Sequence, residues 1–167
     1  MFRPLGVAIL TASDTRIEAN DKSGDCLAER VKYAGHIIKA RAIMKDDIAA
    51  ISAQTKSWAA QSDIDVILTT GGTGLTGRDA TTEAVTPLFD KMLDGFPVLF
   101  HRMSVEKVGL ATLQSRACAG IIDGTFVFCL PGSTGAVSQA WDEIIAGALD
   151  SRYRPSSLVD LMPRLKE

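Results

Sequence analysis

The feature that most constrains how this chain can fold is an alternation of short apolar runs with segments of helical spacing. Leu5–Leu10 and Ile64–Thr70 are nearly unbroken apolar runs, the pattern of strands buried on both faces of a parallel sheet. His36–Met44 alternates instead, with Ile38, Ala40, Ala42 and Met44 on one side and Lys39 and Arg41 on the other. That period of two predicts a strand near a sheet edge. Thr125–Leu130 is the last predicted strand and runs into Pro131-Gly132. Helices are predicted over Gly24–Ala34, stopped by Gly35, and over Asp47–Ser62, where Ile48, Ile51, Thr55 and Trp58 share a face. A third is expected at Thr82–Phe89, capped by Thr82 and weakened by Pro87. The clearest follows Pro131-Gly132: Ala136, Val137, Ala140, Trp141, Ile144, Ile145, Ala148 and Leu149 form one apolar stripe. Asp94–Leu113 has no readable period, Gln114–Ala119 reads as helical, and the tail from Arg152 as extended or turned. The alternation predicts an α/β fold, a three-layer α/β/α sandwich with a mainly parallel sheet, in one domain spanning residues 1–167.

Charge and composition narrow the partners. Eighteen basic against twenty acidic residues, with no basic tract, argue against a nucleic-acid or anionic-membrane surface. No apolar run approaches the roughly 18 residues of a membrane span, and the N-terminus lacks the pattern of a secretory leader. With Cys26, Cys118 and Cys129 unpaired in sequence pattern, the expected compartment is the cytoplasm. His36 and His101 are the only histidines, too few for a structural zinc site. Trp58, Trp141, Cys118 and Cys129 read as core.

In parallel α/β sheets, ligands bind beyond the carboxyl ends of the strands, near a switch in strand order. Three loops occupy such positions: Thr11–Ser23, Gly71–Thr82 and Pro131–Thr134. The second carries four glycines within Gly71–Gly77, followed by Arg78-Asp79, and reads as a phosphate-binding loop whose amides approach an anion closely. Gly72-x-Gly74-x-x-Gly77 matches the dinucleotide fingerprint formally, but follows the third strand rather than the first. Gly72-x-x-x-x-Gly77 has P-loop spacing, but Arg78-Asp79 stands where Lys-Ser/Thr is required. Asp79 admits two readings, a Mg²⁺ ligand beside the loop or a salt bridge or cap. Asp46-Asp47 either complements a helix dipole or joins Asp79, depending on strand order. Ser13-Asp14-Thr15 is either a local turn or a set of hydrogen bonds for a heterocycle. Ser133 or Thr134 caps the last helix, a position compatible with phosphate binding.

Taken in order, these strings resemble the MoaB/MogA family of molybdenum cofactor biosynthesis proteins, closest to its MoaB branch. They are Ser13-Asp14-Thr15, Asp21-Lys22-Ser23-Gly24, Lys45-Asp46-Asp47, Thr70-Gly71-Gly72-Thr73-Gly74-Leu75, Arg78-Asp79, Met103-Ser104, Thr112–Ala117 and Leu130–Thr134. The resemblance spans about Leu5 to Pro155. It implies a molybdopterin-binding fold, a homo-trimer or homo-hexamer, and molybdopterin as the ligand, adenylylated at its terminal phosphate with MgATP. It implies contact with other proteins of that pathway. By matching position, Asp46 and Asp79 are the catalytic and Mg²⁺-proximal pair, and Gly71, Gly72, Thr73 and Gly74 cradle phosphates. Ser13, Asp14, Thr15, Gly24, Pro131, Gly132 and Ser133 belong to the substrate site, with Ser104 and Ser115 as further carry-overs. Two departures from the MogA pattern, Lys45-Asp46-Asp47 for Pro-Asp-Glu and Thr134 for a proline, are MoaB-like. They leave two functions open: an adenylyltransferase, or a non-catalytic molybdopterin carrier. A nucleotide-binding regulator without a pterin is a third class, disfavoured by the failed templates.

Overall fold

The computed structural model describes residues 1–167 and contains one six-stranded sheet in the order β2-β1-β3-β6-β5-β4. The strands are β1 (Gly6–Ala12), β2 (Ile37–Met44), β3 (Val66–Thr70), β4 (Lys91–Met92), β5 (Cys118–Ile122) and β6 (Thr125–Leu130). Strands β2, β1, β3 and β6 run parallel, and β5 is antiparallel to both β6 and β4. The sheet is therefore mainly parallel, with a hairpin at one end. Helices α1 (Lys22–Tyr33), α4 (Gly95–Val108), α5 (Thr134–Ala140) and α6 (Ala146–Ala148) cover one face, and α2 (Ile48–Ala59) and α3 (Thr81–Val85) the other.

The parity of the strand side chains builds two cores. Val7, Ile9, Val66, Leu68, Phe126 and Phe128 point into the larger one, with Leu27, Phe96, Trp141 and Ile145 from the helices. Ala8, Leu10, Ile67, Val127 and Cys129 point into the other, with Ile51, Trp58 and Val85. Both tryptophans are core, as their spacing predicts, and all three cysteines are buried and free. Burying a side chain of this size contributes about 1.5–3 kcal/mol, so both layers are needed to offset chain entropy.

β2 is indeed the edge strand, but its alternation is not regular. A register shift between Val7 and Ala8 pairs Ile38 with Val7 and Ala40 with Ala8. This bulge sends Ile38 to the larger core, while Ala40, Ala42 and Met44 face the smaller one. The unreadable stretch Asp94–Leu113 is α4, with Pro97 tolerated in its first turn, then a 3₁₀ segment at Gly109–Gln114. Its period was hidden because Phe96, Phe100 and Ser104 are buried while Val98, Leu99, Val105 and Val108 lie exposed on other faces. Gln114–Ala119 is not helical. Its end enters β5, which turns through Asp123-Gly124, both at positive φ, into β6. The third predicted helix is shorter than expected, ending at Val85 before a 3₁₀ turn that contains Pro87. The last predicted helix is interrupted by a π-helical turn at Trp141–Ile145. The tail is not simply extended: Leu158–Arg164 forms a 3₁₀ helix that buries Val159.

His36 ties the chain's start to this frame. Its buried Nδ1 accepts the Leu5 N–H at 3.2 Å, which requires an unprotonated nitrogen. Burial holds its pKa below the usual value, partly opposed by Asp150 and Asp65. The unfolded chain takes up this proton near pH ~6.5, whereas the folded chain does so only at lower pH. Stability is therefore complete above that pH and falls as pH drops below it. We expect the melting temperature to decline from about pH 7 to about pH 5.5, and His36→Asn, which keeps an acceptor without titrating, to flatten the slope. An unchanged slope in the variant contradicts this assignment.

Candidate functional site

The strand order puts β1, β3 and β6 side by side, so the three polar loops leave the same edge of the sheet. β2 and β3 flank β1 on opposite sides, which makes this edge a switch point. The chain leaves β3 through Gly71 and Gly72, at φ +94° and +70°. A Cβ on Gly71 would collide with the Ala12 carbonyl at the end of β1. The Gly71 N–H donates to Leu130 O at 3.0 Å, and Thr70 Oγ1 donates to Pro131 O at 2.9 Å. A Cβ on Gly132 would lie 3.4 Å from the Gly71 Cα. The absence of a side chain at Gly71 thus allows the ends of β1 and β3 to close on each other, with Gly132 alongside.

Above this junction lies a cleft of about 390 Å³. Its lining comprises Gly71, Gly72, Thr73, Gly74 and Asp79, then Pro131, Gly132 and Ser133, and Ala111, Gln114 and Ser115 after α4. The N–H groups of Gly72, Thr73 and Gly74 have no backbone acceptor, leaving donors for an anion. Ser133 caps α5, its Oγ accepting the Ala136 N–H at 3.2 Å. Arg116, not singled out from sequence, clamps the loop: its N–H donates to Thr73 O and its Nε to Gly74 O, both at 2.8 Å, while its guanidinium pairs with Glu83. Gln114 and Arg116 belong to the Thr112–Ala117 string, of which only Ser115 is assigned to the site from sequence, and Ala111 carries no signal of its own.

The carboxylates divide into distinct environments. Asp79 Oδ2 accepts the Thr76 N–H at 2.9 Å and the Thr76 hydroxyl at 2.8 Å, closing the turn that carries Arg78. It packs against Gly74, where a Cβ would stand 2.6 Å away. Asp47 caps α2 through the Ala50 N–H. Asp46 is held differently: its Oδ1 is buried without a hydrogen-bond partner and would lie 3.0 Å from a Cβ on Gly72. Burial raises the pKa of Asp46, and the negative charges of Asp14 and Asp79 raise it further, with Arg78 opposing. Strand order therefore brings Asp46 and Asp79 to the same loop, where Asp79 lines the cleft and Asp46 lies behind Gly72, outside the lining.

The remaining sequence-predicted residues are less uniform. Asp14 does not line the cleft. It pairs with Arg78, accepts the Asp46 N–H at 3.3 Å, and has its pKa lowered chiefly by that arginine. Ser13 Oγ accepts the N–H groups of Thr15 and Arg16, forming a local turn. Gly24 lies inside α1, where its missing side chain admits the buried Asp21 carboxylate that caps the helix. Ser104 is buried on α4, outside the cleft lining.

No group of three or more His, Cys, Asp or Glu side chains is gathered in a way that could hold a metal ion. Mg²⁺ that arrives with a nucleotide is held differently, by one or two carboxylates plus phosphate oxygens and water. The unpartnered Asp46 oxygen, in a locally acidic niche beside unpaired amides, fits that mode.

Residues 8–151 match the model of a family described as a probable molybdopterin binding domain. The chain is 46% identical over 166 residues to molybdenum cofactor biosynthesis protein B of Escherichia coli K12, covering 99% of this chain and 96% of that protein. A crystal structure of a molybdenum cofactor biosynthesis protein B superposes with a TM-score of 0.85 at 42% identity, covering 88% of this chain and 92% of that one. The tungsten cofactor synthesizing protein MoaB of Pyrococcus furiosus superposes at 0.81 with 34% identity, over 99% of both chains.

Gly72→Ala combines a disfavoured positive φ with collisions against Thr81 and Asp46. It should lower stability by about 1–3 kcal/mol in urea unfolding. Gly77→Ala, with nothing within 4 Å of the added Cβ, should change it by no more than about 0.5 kcal/mol. Equal effects would show that the loop does not depend on the Gly72 contact.

Proposed function

This chain belongs to the molybdopterin-binding family of molybdenum cofactor biosynthesis proteins, and from that membership we propose that it binds molybdopterin in the cleft and adenylylates its terminal phosphate with MgATP. The observation that carries the catalytic half is the pairing of unbonded loop amides with two carboxylates, Asp46 and Asp79. A carrier for an anionic pterin gains nothing from carboxylates beside its phosphate loop, because like charges repel in a partly buried site. A site that must also accept a cation with its nucleotide does.

The chemistry asks little of general bases. The terminal phosphate of molybdopterin is already anionic at neutral pH and attacks the α-phosphorus of ATP. A new P–O bond forms, the bond to the β-phosphate oxygen breaks, and pyrophosphate leaves. Accordingly, no histidine lines the cleft. The protein's task is to align two polyanions, so positioning and preorganised donors supply most of the rate. When bound, Mg²⁺ neutralises charge on the phosphates. The amides of Gly72, Thr73 and Gly74 hold phosphate oxygens, and Arg116 fixes the loop that presents them. Pro131, Gly132 and Ser133 form the opposite wall, assigned here to the pterin end. In the turn that follows β1, Asp14 holds Arg78 in place and accepts the Asp46 N–H, which leaves it in a supporting part.

The assembly belongs to the same proposal. Val98, Leu99, Val105 and Val108 on α4, with Leu110 and Leu113 beyond it, expose apolar surface suited to a homo-trimer or homo-hexamer. No helix is long and apolar enough to cross a membrane.

A single-turnover assay with fresh molybdopterin, ATP and Mg²⁺, followed by mass spectrometry, tests the reaction. The wild-type protein should form adenylylated molybdopterin only with Mg²⁺. Asp46→Asn and Asp79→Asn should each slow it on the order of 10²-fold or more. Intact molybdopterin bound equally by all three proteins, without ATP consumption, would leave the carrier function instead.

A further inference from the structure

The P-loop template fails on this glycine loop because no hydroxyl follows a lysine to meet a metal ion. The fold supplies a hydroxyl from elsewhere. The Thr81 N–H donates to Gly72 O at 3.0 Å, drawing the start of α3 under the loop. Thr81 is fully buried, and its Oγ1 has no hydrogen-bond partner. Asp46 Oδ1, also buried, has none either. The two oxygens border one point: a Cβ on Gly72 would collide with Thr81 Oγ1 and stand 3.0 Å from Asp46 Oδ1. They come from different crossovers and approach each other because Gly72 has no side chain.

Thr55 Oγ1 bonds to Ile51 O at 2.8 Å and Thr86 Oγ1 to Thr82 O at 2.7 Å, each using the carbonyl one helical turn back. Thr69 Oγ1 and Thr82 Oγ1 are also buried without a partner; what sets Thr81 apart is the unpartnered carboxylate oxygen of Asp46 across Gly72. Buried polar atoms are ordinarily satisfied, so two unmet oxygens at one spot need a partner they share. Both are hard oxygen donors, one neutral and one anionic, the types a small divalent cation takes. Asp79 differs, since its Oδ2 is already occupied twice by Thr76.

We propose that Thr81 Oγ1 and Asp46 Oδ1 are the protein's paired contacts to the divalent cation that accompanies ATP, and that Asp79 acts as a positioning residue for the turn at residues 76–79. The proposal rests on the MgATP reading above. It assigns Thr81 the part a P-loop hydroxyl plays, delivered from the far side of the glycine loop.

The test uses Mn²⁺ with a non-hydrolysable ATP analogue and no molybdopterin, counting free Mn²⁺ by electron paramagnetic resonance. Thr81→Val should weaken Mn²⁺ retention on the order of 10-fold or more, and Thr81→Ser should restore it to within about 2-fold. Asp46→Asn should weaken it at least as much as Thr81→Val, and Asp79→Asn less. Urea unfolding of each variant checks the fold, and Thr81→Ala replaces Thr81→Val if the latter does not fold. If Thr81→Val and Thr81→Ala retain Mn²⁺ like wild type while Asp46→Asn and Asp79→Asn both lose it, the Thr81 contact is overturned and the MgATP reading stands. If the wild-type protein retains no Mn²⁺ with the nucleotide, both are overturned.

Discussion

Three strand ends meet at Gly71, and the site depends on how closely they approach. The Ala12 carbonyl occupies the space a Gly71 side chain would need, the Gly71 N–H is bonded to Leu130 O, and Gly132 lies against the Gly71 Cα. A Cβ at Gly71 would push β1 and β3 apart at this edge. Because the contact is backbone to backbone, it fixes the loops relative to the sheet rather than to one another's mobile side chains. The cleft inherits that rigidity, which is what a site aligning two phosphate groups requires.

Around this junction, charge is distributed with a purpose that the proposed chemistry makes intelligible. Arg78 and Arg116 are committed to Asp14 and Glu83, so neither is a free counter-ion for a phosphate. In the proposed chemistry the anion is met by backbone amides, and the acidic niche at Asp46 is the part suited to a cation. A family built to bind molybdopterin alone would have no use for this division. A protein that brings molybdopterin and a nucleotide together does, since the cation reduces the repulsion between them.

Much of this was legible in the residues. β1, β3 and β6 declared themselves because strands covered on both faces must be apolar at nearly every position. The glycine loop stood out because consecutive glycines after a strand have few other uses. What stayed hidden depended on contacts distant in sequence or on unpartnered surface. α4 carries apolar residues on exposed faces, which erased its period. The β2 bulge leaves the sequence alternation intact while changing which core Ile38 enters. The β5–β6 hairpin had a local signal, Asp123-Gly124, that the helical reading of Gln114–Ala119 obscured. Asp46 and Thr81 are 35 positions apart in number, and only the β2-β1-β3 order brings both to Gly72.

The central claim is that the loops after β3 and β6 form one molybdopterin site on the Gly71 junction. Hydrogen–deuterium exchange, read by mass spectrometry during anaerobic titration with molybdopterin, addresses it directly. The account predicts slowed exchange in peptides covering Gly71–Asp79 and Pro131–Ser133 together, at the same ligand concentration. Protection confined to another surface, such as the exposed face of α4, with these two segments unchanged, would contradict it.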